Sequence, residues 1–156
     1  MERFATKAAR YESLQKRLES LLDGERNAIA NSANTAALIY EMLPDVNWAG
    51  FYFLEGEELL LGPFQGQPAC VQIPMGQGVC GTAAASGLVQ RVANVHEFEG
   101  HIACDVNSVS ELVIPLLKDG QLIGVLDIDS SLANRFSQED EAGLASIAQI
   151  YLQSIF

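Results

Sequence analysis

Asp119-Gly120 stands between two apolar runs, at 111–117 and 122–129, and leaves few folds open to this chain. Asp-Gly accepts the left-handed backbone of a tight hairpin turn, whose twist matches that of the strands on either side. The short Lys118-Asp119-Gly120-Gln121 link cannot hold the crossover that parallel neighbours need. The two runs are therefore expected to pair antiparallel, which sets the chain apart from doubly wound βαβ architectures.

The rest of the sequence fits that beginning. Tyr11, Leu14, Leu18 and Leu21 recur at helical steps and form one apolar stripe, broken by Asp23-Gly24. Ile29, Ala33, Ala36, Tyr40 and Leu43 repeat the pattern, and Pro44 stops the second helix. An aromatic-rich run at 47–54 is apolar on both faces, as in a strand covered on both sides. A turn at Gly56 leads to a partner strand at 59–64, and a short third strand at 70–73 ends at Pro74. The Gly-punctuated stretch 76–87 predicts a tight loop feeding a short helix that Gly87 closes. A strand at 88–92 follows, then a loop at 93–110 that holds His96, His101 and Cys104. Loops of that length inside compact domains are usually functional or disordered. Ser137-Gln138-Glu139-Asp140 resembles a capping box with Asp in the usual Glu position, and it opens a last helix with Leu144, Ala148, Tyr151 and Ile155 on one stripe. The expected order is α-α-β-β-β-α-β-β-β-α. This gives one α+β domain over 1–156, an antiparallel sheet with the terminal helices packed on one face.

Composition removes several function classes. The formal charge is −11, from 20 acids and 9 bases, and no Lys/Arg cluster is present to neutralise phosphates. A nucleic-acid partner is not expected. The acidic balance suits a pocket for a ligand that carries an ammonium group. The apolar runs are of strand length, so no membrane span is expected. Met1-Glu2-Arg3-Phe4-Ala5 carries an early acid and no apolar segment, so no secretory signal is expected and the cytoplasm is the expected compartment. The three cysteines, Cys70, Cys80 and Cys104, form no C-x-x-C pair, and their odd number argues against a structural disulfide framework. The remaining metal set, Cys104 with His101 and His96, lacks the ligand-pair spacing of a zinc site.

The stretch 76–81 formally matches G-x-G-x-x-G, but no long helix or returning parallel strand follows it, so a close-packed backbone turn is the better reading. Cys80 lies near the start of the short helix, where the helix dipole favours a thiolate. Cys104 lies three residues after His101, whose protonation would favour its thiolate, and beside Asp105, which would oppose it. Spacing alone does not choose between the two. Asp127 and Asp129 stand two apart in one strand, so both carboxylates share a side. On a solvated edge they would do nothing in particular. With Glu111 at the head of the paired strand, however, three acids can converge at one end of the sheet, and crowding raises at least one pKa and leaves a neutral donor. Trp48 is either a core residue or an aromatic wall beside a pocket for a thioether-like side chain.

Six segments together resemble the free methionine-(R)-sulfoxide reductases, a family of GAF-domain enzymes. They are N-W-A-G-F-Y at 47–52, G-P-F-Q-G at 62–66, G-V-C-G-T-A-A-A at 78–85, G-H-I-A-C-D at 100–105, S-E-L-V-I-P at 110–115 and L-D-I-D-S at 126–130. The likeness runs over nearly the whole chain and implies a single GAF domain. It further implies that Cys104 attacks the sulfoxide sulfur, that Cys70 is the main resolving cysteine, and that Cys80 is able to join the disulfide relay. Glu111 and Asp129 would hydrogen-bond the sulfoxide oxygen, Asp127 would meet the substrate ammonium, and Trp48 would wall the pocket. The resemblance also implies no bound cofactor, recycling by thioredoxin fed from NADPH, and, by analogy with other GAF domains, pairing as a homodimer. The rival expectation is a non-catalytic GAF sensor that binds a small molecule.

Overall fold

Side-chain alternation in three central strands sorts the molecule into two apolar layers. The computed structural model describes residues 1–102, 104 and 106–156. In chain order the elements are α1 (Lys7–Leu22), α2 (Ala28–Met42), β1 (Trp48–Glu55), β2 (Glu58–Gly66), β3 (Gln72–Pro74), α3 (Gly78–Ser86), β4 (Gln90–Val92), β5 (Ser110–Lys118), β6 (Gln121–Ser130) and α4 (Gln138–Ile155). The strands form one sheet in the order β3-β2-β1-β6-β5-β4, and every pairing is antiparallel. Ala49 and Phe51 of β1, Leu112, Ile114 and Leu116 of β5, and Leu126 and Ile128 of β6 face α1, α2 and α4 and form the larger core. The alternate residues, Trp48, Tyr52, Val113 and Val125, join Val79, Cys80, Ala83 and Ala84 of α3 in a second core on the opposite face. No helix is long and apolar enough to cross a membrane among the described residues.

The hairpin read from Asp-Gly is present. Asp119 and Gly120 both take positive φ, 51° and 77°, as the two-residue turn demands. Gly56, at φ 63°, opens the β1–β2 turn. Between Gly50 and Tyr52 the β1–β2 register shifts by one, so that Gly62 and Pro63 of β2 stand opposite Phe51 alone. A proline there costs little, because a bulge needs no ladder hydrogen bond at that point. The capping box also forms: Ser137 and Asp140 hydrogen-bond each other's backbone N–H at the start of α4. The same Asp140 accepts from Lys7 Nζ at 2.7 Å and Tyr11 Oη at 2.7 Å, which ties α4 to α1. Burial works to raise its pKa, but these donors, the Ser137 backbone and the Arg135 charge outweigh it and hold the group near 2.

The helix stripes need correction. Leu22, not Leu21, is buried in α1, and Leu21 is exposed. In α2, Ile29, Ala33 and Tyr40 face outward, while Asn31, Ser32, Thr35, Ala36, Leu38, Ile39 and Met42 are buried. Small polar residues take the inner face because their polar atoms are satisfied locally. Thr35 Oγ1 donates to the Asn31 carbonyl at 2.7 Å, Ser32 Oγ to Ile29 at 3.0 Å, and Asn31 Nδ2 to Glu25 at 2.8 Å. Hydropathy periodicity has no access to that compensation. The third strand begins at Gln72 and leaves Cys70 outside it, and one 3-10 turn, Val95–Glu97, interrupts the long loop.

Gly124 sits where β6 passes between β1 and β5, opposite Phe53 and Leu116. A Cβ there would run into the Tyr52 carbonyl oxygen and stand 2.9 Å from Phe53 Cα, both of them backbone atoms. Gly124→Ala is therefore expected to destabilise the protein by about 3 kcal/mol. Urea unfolding checks this, and an unchanged midpoint would show that β1 and β6 separate freely.

Candidate active site

The acid cluster arises from register. In one row across the sheet, Trp48 pairs with Asp129 and Asp129 with Glu111; in the next row, Gly50 pairs with Asp127 and Asp127 with Val113. Because side chains two apart share a face, Trp48, Asp127, Asp129 and Glu111 all point to the α3 side. Gly50 has a steric role in this row. A Cβ there would collide with Phe64 and with the indole of Trp48, 2.7 Å from Cη2, so glycine lets the ring lie along the strand. Trp48 stacks on Phe64 at 5.2 Å between centroids and donates from Nε1 to the Gln67 carbonyl at 3.0 Å.

α3 covers the acids. Its entry uses left-handed glycines, Gly76 at φ 82° and Gly78 at φ 65°, and a Cβ on Gly81 would stand 2.6 Å from the Pro74 carbonyl oxygen. The G-x-G-x-x-G stretch is thus a close-packed backbone turn, as expected. Gly87 closes the helix at φ 69°, donating to the Ala83 carbonyl.

Between the sheet and α3 lies a cavity of about 40 Å³. Trp48, Cys80, Cys104, Glu111, Asp127 and Asp129 line it, as do Tyr52, Ile73, His101 and Ser108. Cys104 is bonded to Cys70 in a disulfide that joins segments 34 residues apart, with 5.3 Å between the Cα atoms. All seven residues singled out from the sequence therefore meet at one place. Asp105 lies outside the described residues, and so does its expected effect on Cys104.

The electrostatics of this cavity differ from those of a solvated edge. Glu111, Asp127 and Asp129 are 8%, 5% and 8% exposed. Burial, and then the neighbouring Asp127, push Glu111 well above the usual carboxylate range. Burial, and then the Asp129 charge, push Asp127 up to about 8. The cluster thus keeps a proton at neutral pH and can donate it. Among the described residues Asp127 Oδ1 is buried without a hydrogen-bond partner. Such an oxygen is costly unless a ligand supplies a donor.

Cys80 overturns the helix-terminus argument. Its thiol is fully buried and donates to Glu111 Oε2 at 3.8 Å; burial first, then Asp127, Glu111 and Asp129, push its pKa well up. Desolvation and three acids outweigh the dipole of a nine-residue helix. Cys80 is the free cysteine. His101 does not behave as the expected cation either, since burial and the nearby His96 lower its pKa. The described His, Cys, Asp and Glu groups close enough to share a metal ion are Cys80, Glu111 and Asp127, not the His96–His101–Cys104 set.

Sequence reasoning passed over Tyr52, which lines the cavity and donates from Oη to the Cys70 carbonyl at 2.9 Å. Period-two alternation from Trp48 would have found it, because Trp48, Gly50 and Tyr52 share a face. Gly50 carries no such signal, because its role depends on the ring above it.

The curled antiparallel sheet, with helices on both faces and a pocket under α3, defines a GAF domain, and the GAF family model matches residues 14–155. Free methionine-R-sulfoxide reductase of Escherichia coli K12 is 56% identical over 137 residues, covering 88% of this chain and 83% of that protein. The free methionine-R-sulfoxide reductase from Neisseria meningitidis, solved in complex with its substrate, superposes with a TM-score of 0.95 at 41% identity, covering 99% and 93% of the two chains. The reduced form of fRMsr of Staphylococcus aureus superposes at 0.93 with 47% identity over the full length of both. This chain belongs to the free methionine-R-sulfoxide reductase family.

Proposed function

We propose that this protein reduces free methionine-(R)-sulfoxide to methionine, with Cys104 as nucleophile. The observation that carries this reading is the meeting, in one cavity, of a disulfide-bonded Cys104 and buried acids that retain a proton. A thiolate attacks a sulfoxide only when the oxygen is protonated or strongly hydrogen-bonded, and Glu111 and Asp129 supply that contact. The Cys104 thiolate attacks the sulfoxide sulfur, the oxygen passes to Cys104 as a sulfenic acid, and methionine leaves. The Cys70 thiol then condenses with the sulfenic acid, releasing water and forming the disulfide. Asp127, with its unpartnered oxygen, receives the substrate ammonium, and Trp48 flanks the thioether side chain. α3 starts without a side-chain cap, and Val79 and Cys80 line the cavity, so their N–H groups offer a seat for the free carboxylate, while the Gly78 N–H is held by the Gly100 carbonyl at 3.1 Å. Together these contacts select the free amino acid over a peptide.

In a cytoplasmic setting such a disulfide is a catalytic intermediate rather than a staple. Thioredoxin, reduced from NADPH, returns it to thiols. The test is NADPH oxidation with thioredoxin and its reductase, offering free methionine-(R)-sulfoxide, the free (S) epimer and a peptide-bound sulfoxide in parallel. Turnover with the free (R) form alone is expected. Equal turnover of the peptide, or none with any of the three, would overturn the reading.

A further inference from the structure

The two-cysteine cycle above runs without Cys80, yet the fold buries that thiol against the acids. We propose that Cys80 Sγ, Glu111 and Asp127 form a binding site for one zinc ion, and that an ion held there shuts the cavity to substrate. Zinc acts here as a reversible inhibitor, not as a cofactor of the reaction. The blocking half of the inference rests on the reductase reading; the binding half does not.

The donors already stand close together. The Cys80 sulfur and one oxygen from each of the two carboxyls lie within 4.8 Å of one another, and Cys80 Sγ is 3.8 Å from Glu111 Oε2. Four ligands at zinc bond lengths of about 2.0–2.3 Å stand about 3.5 Å apart at the corners of a tetrahedron. The three donors therefore need to close by at most about 1.3 Å. They come from α3, β5 and β6, so the ion would bridge the helix to the sheet. The cavity, at about 40 Å³, has room for a bare ion and a water or two, and a water completes the tetrahedron.

A thiol among acids is not by itself a metal site, but two further observations point to a cation. Asp127 is 5% exposed, lines the cavity, and leaves Oδ1 without a hydrogen-bond partner among the described residues. No Lys or Arg is among the described residues that line the cavity, so no such side chain balances the carboxyls gathered there. Protons or a bound cation must do so. On binding, the ion takes the place of the protons on its three donors, and those protons leave to solvent. The donor set also selects the metal. Magnesium and calcium take six or more oxygens, whereas zinc accepts one thiolate and two carboxylates in a four-coordinate site. The excess of 20 acids over 9 bases draws cations to the protein as a whole.

Blocking follows from shared atoms. In the reductase reading Asp127 meets the substrate ammonium and Glu111 meets the sulfoxide oxygen. Neither can do so while it holds an ion, and a dication repels an ammonium brought to the same place. Zinc and free methionine-(R)-sulfoxide therefore compete.

The experiment titrates the oxidised protein, its Cys70–Cys104 bond intact, with cobalt(II) as a coloured substitute for zinc. A thiolate-to-cobalt charge-transfer band is expected to saturate at one equivalent and to bleach when zinc is added. In this form Cys80 is the one thiol left of three cysteines, so the band has no other source. No band would overturn the proposal. D127N keeps Cys80 and is expected to weaken cobalt binding at least about tenfold, since losing a ligand costs no less than losing its supporting partner. Unchanged affinity would remove Asp127 from the site and the proposal with it. The blocking half is read on pre-reduced, desalted protein in single turnover. The zinc concentration that halves methionine formation, taken relative to each protein's own uninhibited rate, is expected to be at least about tenfold higher in C80S than in the parent. An equal concentration would show that zinc inhibits elsewhere, through Cys104 or Cys70. Absence of turnover without zinc would sink the reductase reading, while the cobalt titration still decides the site.

Discussion

Cys104→Ser is expected to abolish methionine formation, by a factor of at least about 10⁴, whereas Cys80→Ser retains substantial activity. A factor of 10⁴ corresponds to about 5 kcal/mol of lost transition-state stabilisation. Serine at 104 removes the only nucleophile that lines the cavity and is bonded to Cys70, and a hydroxyl has no route to a sulfenic acid. At position 80 a hydroxyl still donates to Glu111, as the thiol does at 3.8 Å. Because burial and three acids keep the Cys80 thiol protonated, its nucleophilicity contributes little. Single-turnover assays on reduced protein, following methionine by chromatography, give the ranking directly. Folding must be compared under reducing conditions, since the Cys70–Cys104 bond adds stability of its own by closing a loop with a separation of 34 residues. The reverse order of the two variants would refute the assignment of Cys104.

Asp127→Asn should move activity and stability in opposite directions. Turnover is expected to fall about 100-fold in kcat/KM, because Asp127 gives up its proton as the substrate ammonium binds and becomes its countercharge in a desolvated pocket, which an amide does not do. Stability should rise. In the unfolded chain Asp127 titrates near its ordinary 3.8, while in the folded protein burial and Asp129 hold its proton up to about 8. Between those values the folded state binds more protons than the unfolded one, so stability falls as pH rises from about 4 to about 8. The amide has no proton to lose and escapes that loss. The variant is therefore expected to exceed the parent by a few kcal/mol near pH 8 and to match it below pH 4. Urea unfolding across pH 4–9 tests this. Parallel curves for parent and variant would show that Asp127 is charged in the folded state at neutral pH.

Much of this site was legible because it depends on short-range rules. The two-residue spacing of Asp127 and Asp129 fixes their common side, and the Asp-Gly turn makes β5 and β6 antiparallel neighbours; the turn register alone would set Glu111 opposite Ile128, and only the shift between Leu116 and Leu117, where Ile123 is extra on β6, brings it opposite Asp129. The capping box at Ser137 and Asp140 is equally local. The assignment of Cys104 over Cys80 was of another kind. Spacing left it open, and the choice came through resemblance. The structure supplies the physical ground: the same cover that places Cys80 beside the acids keeps its thiol protonated.

What the sequence determined by itself was therefore period and turn chemistry. Those settle element type, antiparallel pairing and which side chains share a face, because each depends on residues a few positions apart. What only the tertiary structure decided was which face is dry, and with it every property that follows from desolvation. Leu22 is buried in place of Leu21, and small polar residues of α2 lie inside because α4 and the sheet press on them from distant parts of the chain. Glu111 and Asp127 hold a proton because α3, some 25 to 50 positions earlier, lies over them. Cys70 meets Cys104 across 34 residues for the same reason. A strand pattern shows that two carboxylates point the same way, but their charge depends on what covers them, and that cover comes from elsewhere in the chain.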